Sequence, residues 1–415
     1  MPNNTIISLE QRKKAVYFRV AVAQGNLEEV KKCCDPYTLN DPDAKGNSPL
    51  HLACEHDHVE IVELLLQQPQ INCHQVNLAG KKAVDLIKDL SIAELFKKKL
   101  NESQEITKDD LLTINNYVKQ TVCFGAPNWV QEQFPHQSPT VSSTWEKDNP
   151  DYYRVDVLQE IFLLVKGKMQ VILRNDPNAL FIVLSIFHSA LAESIKVGRC
   201  DEQVAVAFSQ FLLTEKKGIL EWIRAVNLDG VGGQNFIVLN RNIDNAITKP
   251  HTWKQGLLID PMDDRVENLA ETSTKLMAHL TRIISQVDVA KIKLQPAIGL
   301  TLPLKAKHHA TLIDHLKKIK NELQISFKAK WDRTWSDICL SIKQEHALTT
   351  LPIEEKTVKA WVDLLERSLD TKIEKHEALR DKLILREDTI TRLTQRSDAL
   401  RHAESIQMLN TLKLR

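Results

Sequence analysis

The chain has 415 residues, 43% hydrophobic and 26% charged, enough for two or three domains with their own cores and too apolar for general disorder. Lys+Arg 55 against Asp+Glu 54 leaves a formal net charge of +1, which excludes a global pull toward nucleic acid or an anionic membrane. Glycine is scarce, 12 residues in all against a usual share of ~7%, so large barrels, sandwiches and Rossmann sheets are disfavoured and a mainly α fold with a small β component is expected.

The chain opens on a sequence, MPNNTIISLEQRKK, without the basic stretch and apolar core of a Sec-type signal. The first strong motif is Asp43 to Ala53, which reads D-x-x-G-x-S-P-L-H-x-A around Gly46, Ser48, Pro49 and His51, and continues as His58 to Leu66. Gly46 supplies a turn with positive φ, Ser48 caps a helix whose first residue is Pro49, and Ile61, Val62, Leu65 and Leu66 make the inward stripe of a second helix. His51 belongs to the motif and is expected to pack and hydrogen-bond locally. A degenerate unit follows in which Gly80 matches Gly46, and a preceding unit aligns Ala21, Gly25, Asn26 and Val30 with Ala53, Asp57, His58 and Val62. The middle unit strongly resembles an ankyrin repeat, and about three such units, the outer ones degenerate, are expected within residues 1–105.

Residues 101–155 concentrate Pro127, Pro135, Pro139 and Pro150 among Trp129, Phe134, Trp145, Tyr152 and Tyr153, a pattern for an ordered irregular connection. Helices are predicted over 155–173, 178–196 and 200–213, followed by buried strands at 236–239 and 256–260. The apolar run from Ala179 to Phe187 is shorter than the ~20 residues a bilayer demands, so no transmembrane helix is expected. Beyond Pro261 the pattern is almost wholly helical. Residues 297–320 repeat the ankyrin spacing loosely, as an isolated unit or a plain helical pair, and the stripes Val358 to Leu369 and Leu379 to Leu400 suggest a helical hairpin over 354–412.

The seven cysteines are odd in number and irregular in spacing, as for reduced thiols, and no pair of CxxC sequences announces a zinc site. No metal and no cofactor is expected. His308 and His309 lack suitably placed companions for a metal, and Gly230, Gly232 and Gly233 lead into a strand, as a hairpin turn does, rather than into a phosphate loop.

Cys200 stands at a predicted helix start, where unpaired N–H groups favour a thiolate. The order of Cys200, a strand near 236 and Asp260-Pro261 resembles the papain-like cysteine proteases among bacterial effectors. The resemblance places a cysteine-protease-like α+β domain at 106–270, ahead of a helical region at 271–415. It implies a pocket of Cys200, Gln234 and Asp260, with Gln234 where the family carries histidine. An amide does not titrate near neutral pH and cannot serve as a general base. Three readings stay open: a pseudoenzyme, a base supplied by His251 or His188, or a different alignment of the strand.

Together the repeats and the central segment resemble the secreted ankyrin effectors of intracellular bacteria, of the Legionella AnkH type. That resemblance implies a virulence protein passed by type IV secretion into the cytoplasm or nucleus of a eukaryotic host. It would bind a host protein through its ankyrin repeats and carry a degenerate cysteine-protease-like pocket, with no direct nucleic-acid contact and no membrane insertion. The alternatives are an active cysteine hydrolase or acyltransferase whose ankyrin arm selects substrate, and a scaffold whose helical tail oligomerises.

Overall fold

Helix starts and stops written into the repeat motif organise the first hundred residues. Ser48 accepts the backbone N–H of His51 and Pro49 opens the helix Pro49–Glu55, as the cap and N1 preferences dictate. The computed structural model describes residues 9–102, 104–122, 153–228, 233–242, 246–262, 264–271, 276, 292–351 and 353–413, with side chains to 408. The aromatic and proline-rich stretch from Cys123 to Tyr152, with Gly230 and Gly232, lies outside the described residues. The chain forms two compact units, Met1–Ser103 with Asp381–Arg415, and Gln104–Arg380.

In the first unit the helices are α1 (Leu9–Ala23), α2 (Leu27–Cys33), α3 (Pro49–Glu55), α4 (Val59–Gln67) and α5 (Leu90–Asn101), with a single 3-10 turn, Ala83–Leu86, where the third pair would begin. Successive pairs stack on one core of Phe18, Val22, Val30, Leu50, Ile61, Leu65, Val84 and Phe96. Gly46 has φ +78°, and a Cβ there would stand 2.8 Å from the backbone nitrogen of Leu78 in the next hairpin, so both its conformation and the stacking require glycine.

The second unit contains α6 (Lys108–Thr121), α7 (Arg154–Ile172), α8 (Pro177–Ile195), α9 (Cys200–Phe211), strands β1 (Gly218–Asn227), β2 (Gly233–Leu239), β3 (Leu257–Asp260), β4 (Arg265–Asn268) and β5 (Ile292–Leu302), then α10 (Ala306–Leu323) and α11 (Trp331–His346). The strands form one antiparallel sheet in the order β4-β3-β2-β1-β5. Its two faces bury different cores. Leu220, Trp222, Ile237, Leu239 and Ile259 join the helical core of α8 and α9, whereas Ile223, Phe236, Val238, Leu258 and Trp253 form a smaller cluster. Helix α8 is long and apolar enough to cross a membrane by length and composition, but Val183, Ile186, Phe187, Ala190 and Leu191 are buried in the protein core.

Beyond Pro261 the structure departs from the helical expectation. Residues 297–302 end strand β5 and 306–320 lie in the single helix α10, so no helical pair forms there. The last helix, α12 (Glu355–Lys413), runs unbroken for 59 residues in place of a hairpin. Its sequence contains neither glycine nor proline, so nothing in it can turn the chain. The sheet, completed by β5, also extends the central unit past residue 270.

Candidate functional sites

In the repeat stack, the ring of His51 is neutral and bridges two units. Its Nε2 donates to the carbonyl of Lys81 at 3.0 Å, its Nδ1 lies 2.7 Å from Ser48 Oγ, and burial lowers its pKa. His58 makes the corresponding tie backward, with Nε2 3.1 Å from the carbonyl of Ala23. Asn77 donates to Asn47 at 2.7 Å and joins neighbouring hairpins. Each unit is therefore positioned by hydrogen bonds that consume the motif residues, and His51 is structural.

The third unit departs from the motif where it meets residues 381–408 of α12, within the same compact unit. Lys82 stands at the position of Ser48, and its buried Nζ lies 2.7 Å from Asp388 Oδ2 and donates to Thr389 Oγ1 at 2.9 Å. Asp85 stands at the position of His51 and receives Arg392 Nη1 at 2.8 Å. Arg396 donates to the Ile87 carbonyl at 2.5 Å, and Leu393 enters the core of the stack. The helix caps the open end of the array, as terminal units must.

The central constellation is arranged by strand alternation. Gln234 and Asn235 are consecutive on β2 and leave it on opposite faces. Gln234 shares the face of Phe236, and its Nε2 lies 2.9 Å from both oxygens of Asp260. Asn235 shares the face of Ile237 and turns to the start of α9, where its Nδ2 is 3.6 Å from Cys200 Sγ and donates to the Asp201 carboxylate. Trp222 Nε1 holds the other end of that amide at 2.9 Å. The structure thus brings Gln234 and Asp260 together, while the partners of the Cys200 thiol are Asn235, Asp201 at 3.7 Å and the Gly233 carbonyl at 3.9 Å.

Electrostatics at the thiol oppose the expected activation. Burial, with the Asp201 carboxylate next, pushes Cys200 up to about 12. The helix start already carries a carboxylate, since Glu202 Oε2 accepts the N–H of Arg199 at 2.7 Å. Neither histidine considered as a base is a hydrogen-bond partner of the sulfur. His188 Nε2 lies 3.0 Å from Glu202 Oε1 and its ring stacks on Phe162, and His251 is exposed on the turn Pro250–Thr252. Asn235 was visible in the sequence beside Gln234. The signal that selects it is the period of two along a strand, which the spacing to Phe236 alone did not use.

Comparison with known proteins bears on the first unit. Residues 8–79 match the family described as ankyrin repeats (3 copies). The N-terminal region is an ankyrin-repeat stack. Two yeast proteins from Saccharomyces cerevisiae are similar to part of the chain: oxysterol-binding protein homolog 1, 35% identical over 78 residues, and oxysterol-binding protein homolog 2, 36% identical over 64 residues. These matches cover 19% and 15% of this chain and span only 7% and 5% of the relatives' own lengths. No solved structure matches the chain.

Proposed function

We propose that the protein acts by binding another protein through its ankyrin stack, and that the central unit is a protease-like pocket without thiol catalysis. Ankyrin repeats are protein-interaction modules, and the single observation that carries the second half is the pairing of Cys200 with the amide of Asn235, which cannot take a proton. The papain-like reading is supported by a cysteine at the first residue of a helix beside an antiparallel sheet. The bacterial effector reading, with type IV secretion, a host protein as partner and a host-cell location, rests on the combination of this arm with that central segment.

The test compares capture of host proteins by wild type, Val20→Glu and Cys200→Ala. Val20 is 45% exposed on the first repeat helix, so glutamate there leaves the core intact while placing a charge on an exposed face of the stack. Loss of a specific partner with Val20→Glu and retention with Cys200→Ala is the expected outcome. Turnover of a captured protein by wild type but not by Cys200→Ala would instead establish the hydrolase or acyltransferase.

A further inference from the structure

Within the second unit, three ligand-bearing side chains that belong to neither site converge where the start of α7 meets the end of α11. Asp156 lies in the first turn of α7, and Glu345 and His346 are the last two residues of α11. One ligand atom from each of the three lies within 4.8 Å of the others. His346 Nε2 is 3.0 Å from Asp156 Oδ2. We propose that Asp156, Glu345 and His346 bind a divalent transition-metal ion of the Zn2+ class, with water completing the coordination.

Asp156 is buried, 8% exposed, yet it faces the second carboxylate of Glu345, which makes no hydrogen bond or ion pair with any described residue. Two carboxylates converge on one imidazole at the C-terminal end of a 16-residue helix, where the helix dipole also favours a cation. Arg199 approaches the other oxygen of Asp156, Oδ1, at only 3.9 Å, so Oδ2 faces the His346 ring rather than the guanidinium. One imidazole with two carboxylates suits Zn2+ better than Mg2+ or Ca2+, which prefer oxygen alone. Ligands about 2.0–2.2 Å from zinc stand closer together than 4.8 Å, and Glu345, being exposed, can rotate inward to close the gap. The ion would stand between His346 Nε2 and Asp156 Oδ2 in place of their direct contact, the neutral ring carrying its one hydrogen on Nδ1.

The framework favours a built site over chance proximity. Ala347 adopts the left-handed conformation with φ 55° and its N–H bonds to the Lys343 carbonyl, which ends α11 directly after His346. Tyr153 lies edge-on against the His346 ring at 5.2 Å and fixes its plane.

The experiment titrates EDTA-treated full-length protein with Zn2+ by calorimetry, and repeats it with Glu345→Gln and His346→Gln. Co2+ spectra are recorded in parallel, because the cysteines are competing soft ligands. One saturable site is expected, with a cobalt spectrum free of thiolate charge transfer, and affinity lowered at least ~100-fold by His346→Gln and ~10-fold by Glu345→Gln. Glu345 is exposed and has no hydrogen bond or ion pair among the described residues, so its substitution does not threaten folding. Unchanged affinity in the Glu345→Gln protein, thiolate bands with cobalt, or no saturable binding to wild type would each overturn the proposal.

Discussion

Lys82 Nζ lies 2.7 Å from Asp388 Oδ2, joining residues more than three hundred positions apart, and it does so from the position that the preceding repeat gives to Ser48. The departure of the third unit from the motif has a structural counterpart: the positions of Ser48 and His51 are held there by a lysine and an aspartate that receive the C-terminal helix. Lys82→Ala removes a hydrogen-bonded charge whose partner Asp388 is exposed enough to rehydrate, so a loss of about 1–2 kcal/mol is expected. Leu393→Ala, which empties a place in the stack core, should cost more, about 2–4 kcal/mol. Urea unfolding of the two variants checks the order.

In the second unit Lys372 is buried with Nζ 2.7 Å from Glu193 Oε1 and 3.0 Å from Ser189 Oγ. Burial lowers the lysine, while Lys372 holds Glu193 below the usual carboxylate range against its own burial. Glu193→Leu leaves a buried ammonium without its counter-charge and should destabilise the protein by about 3–5 kcal/mol. The double variant Glu193→Leu with Lys372→Met should recover most of that loss in the same denaturation assay, since neither buried charge remains.

His309 and His376 meet through their Nδ1 atoms at 2.9 Å, both buried between α10 and α12. Burial lowers them to about 4 and about 3, from 6.5, with His308 adding to the first and His309 and Lys372 to the second. The unfolded chain therefore binds these protons at a higher pH than the folded one. Stability contributed by the neutral pair is complete above pH 6.5, declines as pH falls through the interval between 6.5 and about 4, and continues to decline to about 3. Replacing both with phenylalanine should flatten the decline in thermal midpoint over that range.

Gly256 has φ +109° and a Cβ there would stand 2.5 Å from the Leu239 carbonyl oxygen. Gly256→Ala should thus destabilise the β2–β3 pairing by at least about 1 kcal/mol through strain and displacement of a backbone carbonyl. Gly167, with open space around it, serves as the control: Gly167→Ala in mid-helix should be neutral or stabilising.

The repeat stack was legible because its chemistry is local. Gly46, Ser48, Pro49 and His51 act within a few residues of one another, and their spacing declares a turn, a cap and a helix. Helices α7, α8 and α9 and the strands β2 and β3 were legible from apolar runs and the Asn175-Asp176-Pro177 break. Strand β5 was not, because Pro296 and Gly299 interrupt its pattern and its stability comes from β1, more than sixty residues earlier. The central site was half legible. Cys200 lies at a helix start as its sequence implies, but which of Gln234 and Asn235 faces it depends on register, and whether its thiol ionises depends on Asp201 and on burial. Neither can be read from the type of a residue alone.

The state of the Cys200 thiol separates a binding pocket from an enzyme most directly. Site-resolved alkylation of the native protein by iodoacetamide across pH, quantified for each cysteine by mass spectrometry, measures it. Cys200 should stay largely protonated and react slowly through pH 9, below its value of about 12, and it should not be slowed further when His188 or His251 is replaced. A Cys200 that alkylates with an apparent pKa below that of a free thiol, about 8.5, and loses this reactivity in either histidine variant would contradict a binding protein and show an enzyme.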